Sequence, residues 1–310
     1  LIYLWCLYMK IAILMSTYNG EKYLNEQLES IFMQQVNAEI TVYIRDDGSK
    51  DRTVQIIKDW AAKFNIVLFK ENNVGPANSF WKLFALKEIE ADYYAFCDQD
   101  DIWDSNKLQM GIEALDGINE DALWCSNCRI VDQNGATLVD KMYEYVPDFS
   151  IVSQFVCGTT QGCAMLVNHQ LRKHILQNDI KKIPMHDFVI MTYAIARGKI
   201  LYEQNPTFSY RVHNNNVVAK EGKNIIQHIH DSFNKWFSKE HKNELTKYAE
   251  TFVRDNETYL DAETLKYLNN LIRSKNSIIC RLKIVCDVRT KAKNVKAERS
   301  FKIRTLLGII

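Results

Sequence analysis

Three carboxylates directly follow a strand-like apolar stretch in the segment YYAFCDQDDIW, residues 93–103. Asp98, Asp100 and Asp101 stand within four positions, so one loop must hold their charges close together. At ~4 Å and an effective dielectric constant of ~20, each like-charged pair repels by roughly 4 kcal/mol. A bound cation would remove that repulsion, and hard oxygen ligands in an open loop suit Mg²⁺ or Mn²⁺. The spacing therefore predicts a divalent-cation site that uses Asp98 and Asp100.

Helix capping is the alternative role for the acids of this segment. Asp104 directly precedes SNKLQMGIEAL, which has the periodicity of a helix, and we assign Asp104 to capping. For Asp101, capping and cation binding both remain open. The segment is not an EF-hand loop, because its sixth and twelfth positions are Trp103 and Gln109 rather than glycine and glutamate.

The first hundred residues predict the sheet that positions these acids. Apolar runs at 11–15, 40–44, 66–69 and 93–97 predict buried strands, and the segments between them place apolar residues on one helical stripe. This alternation predicts an α/β fold, a mostly parallel sheet with helices packed on both faces. Ligands of such sheets bind outside the carboxyl ends of the strands. All four strands end in polar segments here: STYNGE, RDDGS, ENNVGP and DQDD.

Two common nucleotide-binding classes are excluded by their missing motifs. No GxGxxG follows the first strand, and the chain has no Walker A sequence. Farther along, DQNG predicts a hairpin, and PMHDFVIMTYAIARG predicts a helix with His186 and Asp187 in its first turn. KILYEQNPTFSYRVHNNNVV predicts a strand pair that ends in a polar loop. From about residue 222 onward the pattern is helical.

Eight cysteines are scattered along the chain without the spacing of a disulfide framework, which favours a reducing cytoplasm. Cys125 and Cys128 superficially match a thioredoxin-type pair, but a strand-turn-strand pattern follows them where that motif needs a helix. We interpret both as buried structural thiols. Residues 1–8 are apolar but too short to span a bilayer, and we expect the biological start at Met9.

Taken together, the motifs resemble those of family 2 glycosyltransferases of the GT-A fold, particularly bacterial rhamnosyltransferase-like members. The matching pieces are ILMSTYNGEKYLNEQLESI, IRDDGSKDRT, NNVGPANSF, FCDQDDIW, MHDF and YRVHNNNVV. The resemblance covers roughly residues 9–218. It implies a GT-A domain over 9–218 between an N-terminal extension, 1–8, and a helical basic C-terminal region, 219–310.

The resemblance also implies how the donor is bound. Ser16, Tyr18 and Asn19 would line the nucleotide base pocket, where Tyr18 would stack on the base. Asp47 would accept a hydrogen bond from the base N3–H, which suits uracil and thymine equally. Asp46 is interpreted as part of a turn.

The diphosphate side is assigned in the same way. Asp98 would reach the ribose, and Asp100 would hold the metal that bridges the diphosphate, Mg²⁺ or Mn²⁺. His213 would supply an imidazole to the metal or diphosphate, or serve only as an ordinary loop histidine. Arg211 would contact phosphate, although its position also fits an exposed strand surface.

Acid–base chemistry is assigned to Asp187 through the match to MHDF. An inverting transfer needs a general base that takes the proton of the attacking hydroxyl. The alternative for Asp187 is a favourable interaction with the helix dipole. His186 would orient the acceptor or pack beside the base. Gly162 lies in CGTTQGCAMLVNHQL, residues 157–171, which resembles the acceptor-side segment, and would allow close backbone approach.

The expected function is therefore the metal-dependent, inverting transfer of a sugar in bacterial cell-surface polysaccharide biosynthesis. The favoured donor is dTDP-rhamnose, which would supply L-rhamnose. The acceptor would be a saccharide or a lipid-linked saccharide. UDP-glucose or UDP-galactose is the alternative donor. A non-catalytic adaptor at a membrane or nucleic acid is the alternative class, but it leaves the clustered acids unexplained.

The C-terminal region differs from the rest in charge. Residues 271–310 contain eleven Lys or Arg but only two acidic residues, although the whole chain has a net charge of +1. Ile278, Leu282, Val285 and Val288 recur among these cations at helical spacing, which fits a helix on an anionic membrane. Packing of this stripe onto the catalytic domain is the alternative. Nucleic acid is not expected as a partner, because aromatic residues are almost absent here.

Overall fold

A computed structural model describes residues 9–180, 183–213 and 244–310. Its sheet begins with four parallel strands: β1 (Lys10–Thr17), β2 (Glu39–Asp46), β3 (Ile66–Lys70) and β4 (Tyr93–Cys97). Three helices connect them: α1 (Leu24–Phe32), α2 (Thr53–Ala61) and α3 (Pro76–Ala85). The predicted alternation of strands and helices is confirmed, and the four polar strand exits lie at one edge.

The second half of the sheet is mixed. Its elements are β5 (Ile102–Trp103), α4 (Lys107–Leu115), β6 (Ala122–Val131), β7 (Thr137–Val139), α5 (Ile151–Cys157), β8 (Met165–Asn168), α6 (His169–Leu176), α7 (His186–Arg197) and β9 (Lys199–Arg211). The strand order is β3-β2-β1-β4-β8-β6-β9-β5, with β7 paired to β6. β8 runs antiparallel to both β4 and β6, so it turns a parallel sheet into a mixed one.

Two local predictions have different outcomes. The DQNG hairpin is confirmed, since β6 and β7 are antiparallel and Gly135 adopts a φ of 87° in the turn. The predicted strand pair near residue 200 is wrong. β9 is one long strand, and its pairing with β6 merely shifts register where Asn127 lies opposite Pro206. Proline lacks the N–H that a regular ladder uses, so it produces an irregularity without ending the strand.

Apolar clusters cover both faces of the sheet. One joins α1, α2 and α4 to the sheet through residues such as Leu28, Ile57 and Leu108. The other contains Phe84 of α3 and Tyr193 of α7. Cys125 and Cys128 are buried in β6, as predicted, and the seven cysteines in the described ranges are all free thiols.

The described part of the C-terminal region contains four α-helices: α8 (Glu244–Asn256), α9 (Ala262–Ser274), α10 (Ile278–Cys286) and α11 (Val295–Leu307). Phe252, Leu271, Ile284 and Phe301 join the cluster that contains α3 and α7, so these helices pack on that face of the sheet. Within the described residues, no helix combines the length and apolarity needed to cross a membrane.

Candidate active site

The loops after β1, β2 and β4 meet at the carboxyl edge of the sheet. Thr17 pairs with Asp46, and Met15 pairs with Cys97, so the three strands end side by side. Gln99, in the loop after β4, exchanges two hydrogen bonds with the backbone of Tyr18, at 2.9 and 3.2 Å. The predicted base-pocket loop and the predicted metal loop are therefore joined directly.

The predicted base-pocket residues lie together. Ser16 Oγ lies 2.6 Å from Ser79 Oγ, and Tyr18 is about half exposed. Asn19 adopts a left-handed φ of 49°, and its Oδ1 accepts a hydrogen bond from the N–H of Lys50 at 2.8 Å. This carboxamide thus holds the loop after β1 against the loop after β2, while the Tyr18 ring faces solvent.

Asp47 lies deeper than the resemblance implied. Its carboxylate forms an ion pair with Arg45 and accepts hydrogen bonds from the backbone N–H groups of Val74 and Gly75. Arg45 also donates to Ser79 Oγ at 3.0 Å. A base N3–H would have to share a carboxylate that already holds the end of β2 to the start of α3. Sequence reasoning missed Arg45 and Ser79.

Asp98, Asp101 and Cys163 form the centre of the site, with one ligand atom from each within 4.8 Å of the others. Burial, together with the charges of Asp100 and Asp187, raises the pKa of Asp98 to about 7. Burial and the charges of Asp98 and Asp100 raise the pKa of Asp101 well above its usual value. One carboxylate oxygen of Asp101 has no hydrogen-bond partner among the described residues. Such a buried acidic cluster favours a bound cation.

The two capping hypotheses are wrong. Asp101 is buried and accepts a hydrogen bond from the N–H of Arg211 at 3.2 Å rather than from α4. Asp104 forms a two-bond ion pair with Arg129, at 2.6 and 2.8 Å. The residue before α4 is Asn106, and it makes no side-chain capping bond.

Asp100 and His213, the two predicted metal ligands, lie in direct contact. His213 Nε2 is 2.8 Å from the Asp100 carboxylate, although 113 positions separate them. Arg211 donates to the Asp100 carbonyl at 2.9 Å and forms an ion pair with Glu26 at 2.5 Å. Arg211 is almost completely buried, so its interpretation as an exposed strand residue is wrong. It holds the acidic loop in place.

Asp187 lies at the start of α7, facing the acidic cluster. Its carboxylate accepts hydrogen bonds from the N–H groups of Phe188 and Gly162, at 2.7 and 3.2 Å. Burial raises its pKa to about 6 in spite of these bonds. Its charge in turn raises the pKa of Asp98. A carboxylate with this pKa is suited to general-base catalysis near neutral pH.

His186 lies in an apolar pocket. Its ring stacks on Phe80 at 4.4 Å and lies 5.1 Å from Phe96. Burial lowers its pKa to about 3, so it is neutral. A Cβ atom on Gly162 would lie 2.4 Å from His186 Nε2. Glycine at 162 therefore permits the close approach that the sequence predicted, and His186 packs beside the base.

A buried lysine lies near the acids and was missed by sequence reasoning. Lys107 Nζ lies 4.5 Å from the ring centre of Phe208, and 5.1 and 5.5 Å from those of Trp103 and Trp124. Burial lowers its pKa to about 8. At the first turn of a helix, Lys107 looked like an ordinary surface residue.

The donor set fits a hard divalent cation. The loop after β4 supplies the carboxylates of Asp98 and Asp100, and the His213 imidazole contacts Asp100. The Asp101 oxygen that has no hydrogen-bond partner among the described residues lies beside Asp98. Oxygen ligands with one imidazole suit Mg²⁺ or Mn²⁺. The thiol of Cys163 hydrogen-bonds to Asp98, and burial raises its pKa well above the usual value. It therefore remains a neutral thiol rather than a soft thiolate ligand.

This fold and site define a nucleotide-sugar transferase of the GT-A type. The sequence model of glycosyl transferase family 2 matches residues 12–188, and the chain belongs to that family. It is 30% identical over 277 residues to the dTDP-rhamnosyl transferase RfbG of Shigella flexneri, covering 83% of this chain and 91% of that protein.

More distant relatives share the fold. The poly(ribitol-phosphate) β-N-acetylglucosaminyltransferase TarS of Staphylococcus aureus is 28% identical over 155 residues, 49% of this chain and 26% of TarS. The crystal structure of TarS 1–349 with UDP-GlcNAc superposes with a TM-score of 0.55 at 17% identity, covering 96% of this chain and 89% of that one. The mannosyltransferase PcManGT of Pyrobaculum calidifontis was solved with GDP-Man and Mn²⁺. It superposes with a TM-score of 0.53 at 11% identity, covering 96% of this chain and 86% of that one.

Proposed function

We propose that this glycosyltransferase inverts the configuration of the transferred sugar and uses Asp187 as its general base. The observation that supports this most directly is the position of Asp187. Its buried carboxylate, with a pKa of about 6, interacts electrostatically with Asp98 at the edge where the donor-binding loops meet. A base must lie within reach of both the acceptor hydroxyl and the anomeric carbon.

The residues act in the following way. Asp187 takes the proton of the acceptor hydroxyl while that oxygen forms a bond to the anomeric carbon. The bond from the anomeric carbon to the phosphate oxygen breaks, and the nucleoside diphosphate leaves with its electron pair. Asp98 orients the ribose, and Arg211 holds the loop of Asp100 through its bond to the Asp100 carbonyl.

Asp100 and His213 would hold a divalent cation, Mg²⁺ or Mn²⁺. Such a cation supplies Lewis-acid stabilisation of the charge on the departing diphosphate. PcManGT, which shares this fold, was solved with Mn²⁺. The two side chains already lie 2.8 Å apart, so little rearrangement would be needed to place both around one ion.

For the donor we favour dTDP-L-rhamnose. The similarity to the dTDP-rhamnosyl transferase RfbG extends over most of both chains, which supports this choice over the alternatives UDP-glucose and UDP-galactose. Calorimetry with the three nucleotide sugars in the presence of Mn²⁺ tests it. Tighter metal-dependent binding of either UDP-hexose would overturn dTDP-rhamnose. A chain that binds no labelled nucleoside diphosphate would favour the adaptor hypothesis.

The acceptor is proposed to be a saccharide or lipid-linked saccharide of a bacterial surface polysaccharide, reached from the cytoplasmic side of the membrane. Contact with an anionic bilayer through the C-terminal region is supported by an exposed apolar group on α10. Ile278, Ile279 and Leu282 are 68%, 64% and 51% exposed, whereas Ile284 and Cys280 form the packed side. Of the predicted stripe, Ile278, Leu282 and Val288 are exposed, and Val285 is partly buried.

The apolar group continues onto α11. Arg281 donates to the carbonyl of Leu306 at 3.1 Å, and to the carbonyls of Ser274 and Lys275 at the end of α9. Leu306 and Leu307 are also exposed. Arg281 thus joins the ends of three helices, and exposed apolar side chains lie around that junction. An apolar patch among basic residues suits the interface of an anionic bilayer.

A further inference from the structure

A cleft separates the segment before α5 from the start of α11. The cleft is open to solvent. Its lining includes Tyr143, Tyr145, Asp148, Thr159, Lys293 and Asn294. The first four belong to the catalytic half of the chain, and the last two belong to the C-terminal region. The cleft is therefore completed only when the C-terminal helices pack onto the sheet.

The catalytic side of the cleft is held by hydrogen bonds. Asn127 of β6 donates to the Tyr143 carbonyl at 2.7 Å and accepts from the Tyr143 N–H at 3.1 Å. Asp148 accepts from the hydroxyl of Ser150 at 3.1 Å, directly before α5. Thr159 donates to Gln154 at 2.8 Å. This wall is built before any ligand arrives.

The C-terminal side places one cation over an aromatic ring. Lys293 Nζ lies 3.9 Å from the ring centre of Tyr145, a favourable cation–π distance. The short link that contains Lys293 is held on both sides. The N–H of Ala292 donates to Glu298 at 3.0 Å, and Asn294 caps α11 by accepting from the N–H of Ala297 at 3.1 Å.

The cleft lies close in the chain to the residue that contacts the proposed base. Thr159 lies three residues before Gly162, and the N–H of Gly162 donates to Asp187. Consecutive Cα atoms are about 3.8 Å apart, so Thr159 is at most about 11 Å from Gly162 along the chain. Thr159 therefore connects the lining of the cleft to the turn whose backbone contacts Asp187.

We propose that this cleft binds the acceptor saccharide. The apolar face of a sugar ring packs well on tyrosine rings, and its hydroxyls hydrogen-bond to carboxylates, ammonium groups and amides. The lining contains one carboxylate, Asp148, and one ammonium group, Lys293, so their charges balance. That balance suits an uncharged sugar better than a phosphate-rich chain. The proposal rests on the transferase function above, and it adds the surface that selects the acceptor.

The test separates acceptor binding from donor chemistry. The variants are Tyr145→Ala, Tyr145→Phe and Lys293→Ala, and the matched surface controls are Tyr259→Ala and Lys266→Ala, which lie outside the cleft. Two reactions are measured: hydrolysis of the nucleotide sugar by water, and transfer to methyl glycosides of rhamnose, glucose, galactose and N-acetylglucosamine. Thermal unfolding checks that each variant is folded.

We expect Tyr145→Ala and Lys293→Ala to raise KM for the glycoside about tenfold or more, with hydrolysis and nucleotide affinity unchanged. Tyr145→Phe keeps the ring and should retain most of the affinity. An unchanged KM in both alanine variants would overturn the proposal. If the wild type neither hydrolyses a nucleotide sugar nor transfers its sugar to any glycoside, the transferase proposal itself fails instead.

A second measurement covers a wild type that hydrolyses donor but uses none of these glycosides. Saturation-transfer NMR then records binding of the same glycosides at millimolar concentration. A signal that Tyr145→Ala abolishes and Tyr259→Ala retains supports the cleft. Equal signals in both variants, or no signal in the wild type, count against it.

Discussion

At the scale of single residues, burial sets the chemistry of Asp187. Its carboxylate loses solvation at the start of α7, and two backbone N–H groups only partly compensate for that loss. The resulting pKa of about 6 leaves a base that is mostly ionised at neutral pH and still able to accept a proton. The same N–H bonds fix the direction in which the carboxylate points.

Replacing Asp187 with Asn tests this role. The variant keeps the shape and loses the basicity, so nucleotide-sugar binding should survive while transfer falls by ~10²- to 10⁴-fold. Calorimetry and steady-state transfer assays measure the two effects. Near-normal transfer by Asp187→Asn would return the residue to a structural role at the helix dipole.

The pH dependence gives an independent measurement. The wild type should lose transfer as pH falls through about 6, because the base becomes protonated there. The raised pKa also means that the folded state binds the proton more tightly than the unfolded state does. The contribution of Asp187 to the free energy of unfolding should therefore fall as pH rises from about 4 to about 6, and Asp187→Asn should lack that change. Parallel pH profiles of stability for both proteins would contradict it.

The acidic loop supplies the second residue-level prediction. EDTA should abolish transfer, and Mn²⁺ or Mg²⁺ should restore it, because Asp100 and His213 are proposed to hold the ion. Asp100→Ala should lower Mn²⁺ affinity far more than Asp104→Ala. Asp104→Ala is the matched control, because Asp104 forms an ion pair with Arg129. Losing that ion pair should affect local stability rather than metal binding. Full turnover by the metal-stripped protein would contradict the metal hypothesis.

At the scale of elements, the parallel strands bring the donor loops together, and the start of α7 brings the base to them. The turn before β8 supplies the remaining contact through Gly162. Its lack of a Cβ lets the backbone approach both Asp187 and the His186 ring. Position 162 therefore couples the packing of α7 to the orientation of the base.

A double-mutant cycle tests that coupling. Gly162→Ala should lower both the melting temperature and kcat, because its Cβ would overlap the His186 imidazole. Truncating the ring in His186→Ala makes room, so the added cost of Gly162→Ala should be smaller in that background. Thermal unfolding and transfer rates of the four proteins give the coupling. Additive effects would mean that the two residues act independently.

At the scale of the whole molecule, the C-terminal helices have two faces. Leu271, Ile284 and Phe301 pack into the core, so shortening the chain near residue 270 would expose that core. Point substitutions are therefore the better test of the membrane hypothesis. Eight of the fifteen exposed large apolar residues in the described ranges lie between 278 and 307, a concentration that favours a surface with a partner.

We expect the full-length protein to sediment with phosphatidylglycerol-rich vesicles at low salt and to be released by high salt, since each basic residue near an anionic surface contributes ~1 kcal/mol. The combined variant Ile278→Ser, Ile279→Ser and Leu282→Ser should stay in the supernatant and still bind nucleotide. Met33→Ser, at an exposed apolar site on α1's end, is the control. If the wild type ignores the vesicles at low salt, the membrane hypothesis fails.

Much of the site was predictable because its signals are local. The period of apolar residues predicted the strands, and each strand exit showed its polar residues within five positions. The hairpin and the buried thiols of β6 followed from the same kind of short-range pattern. The cluster of Asp98, Asp100 and Asp101 was visible for this reason, and so was the pairing of MHDF with a helix start.

Other features were decided only by the tertiary structure. Asp104 forms an ion pair with Arg129 instead of capping α4. Arg211 is buried against the acidic loop, and Lys107 is surrounded by aromatic rings. These contacts join residues that are distant in the chain, up to 111 positions for Arg211 and Asp100. Periodicity describes which side of one element is apolar, but it does not say which side chain of another element will lie opposite. The packing of the elements determines these contacts, because a charged group that loses its solvation on burial is stable only beside a partner that the fold brings to it.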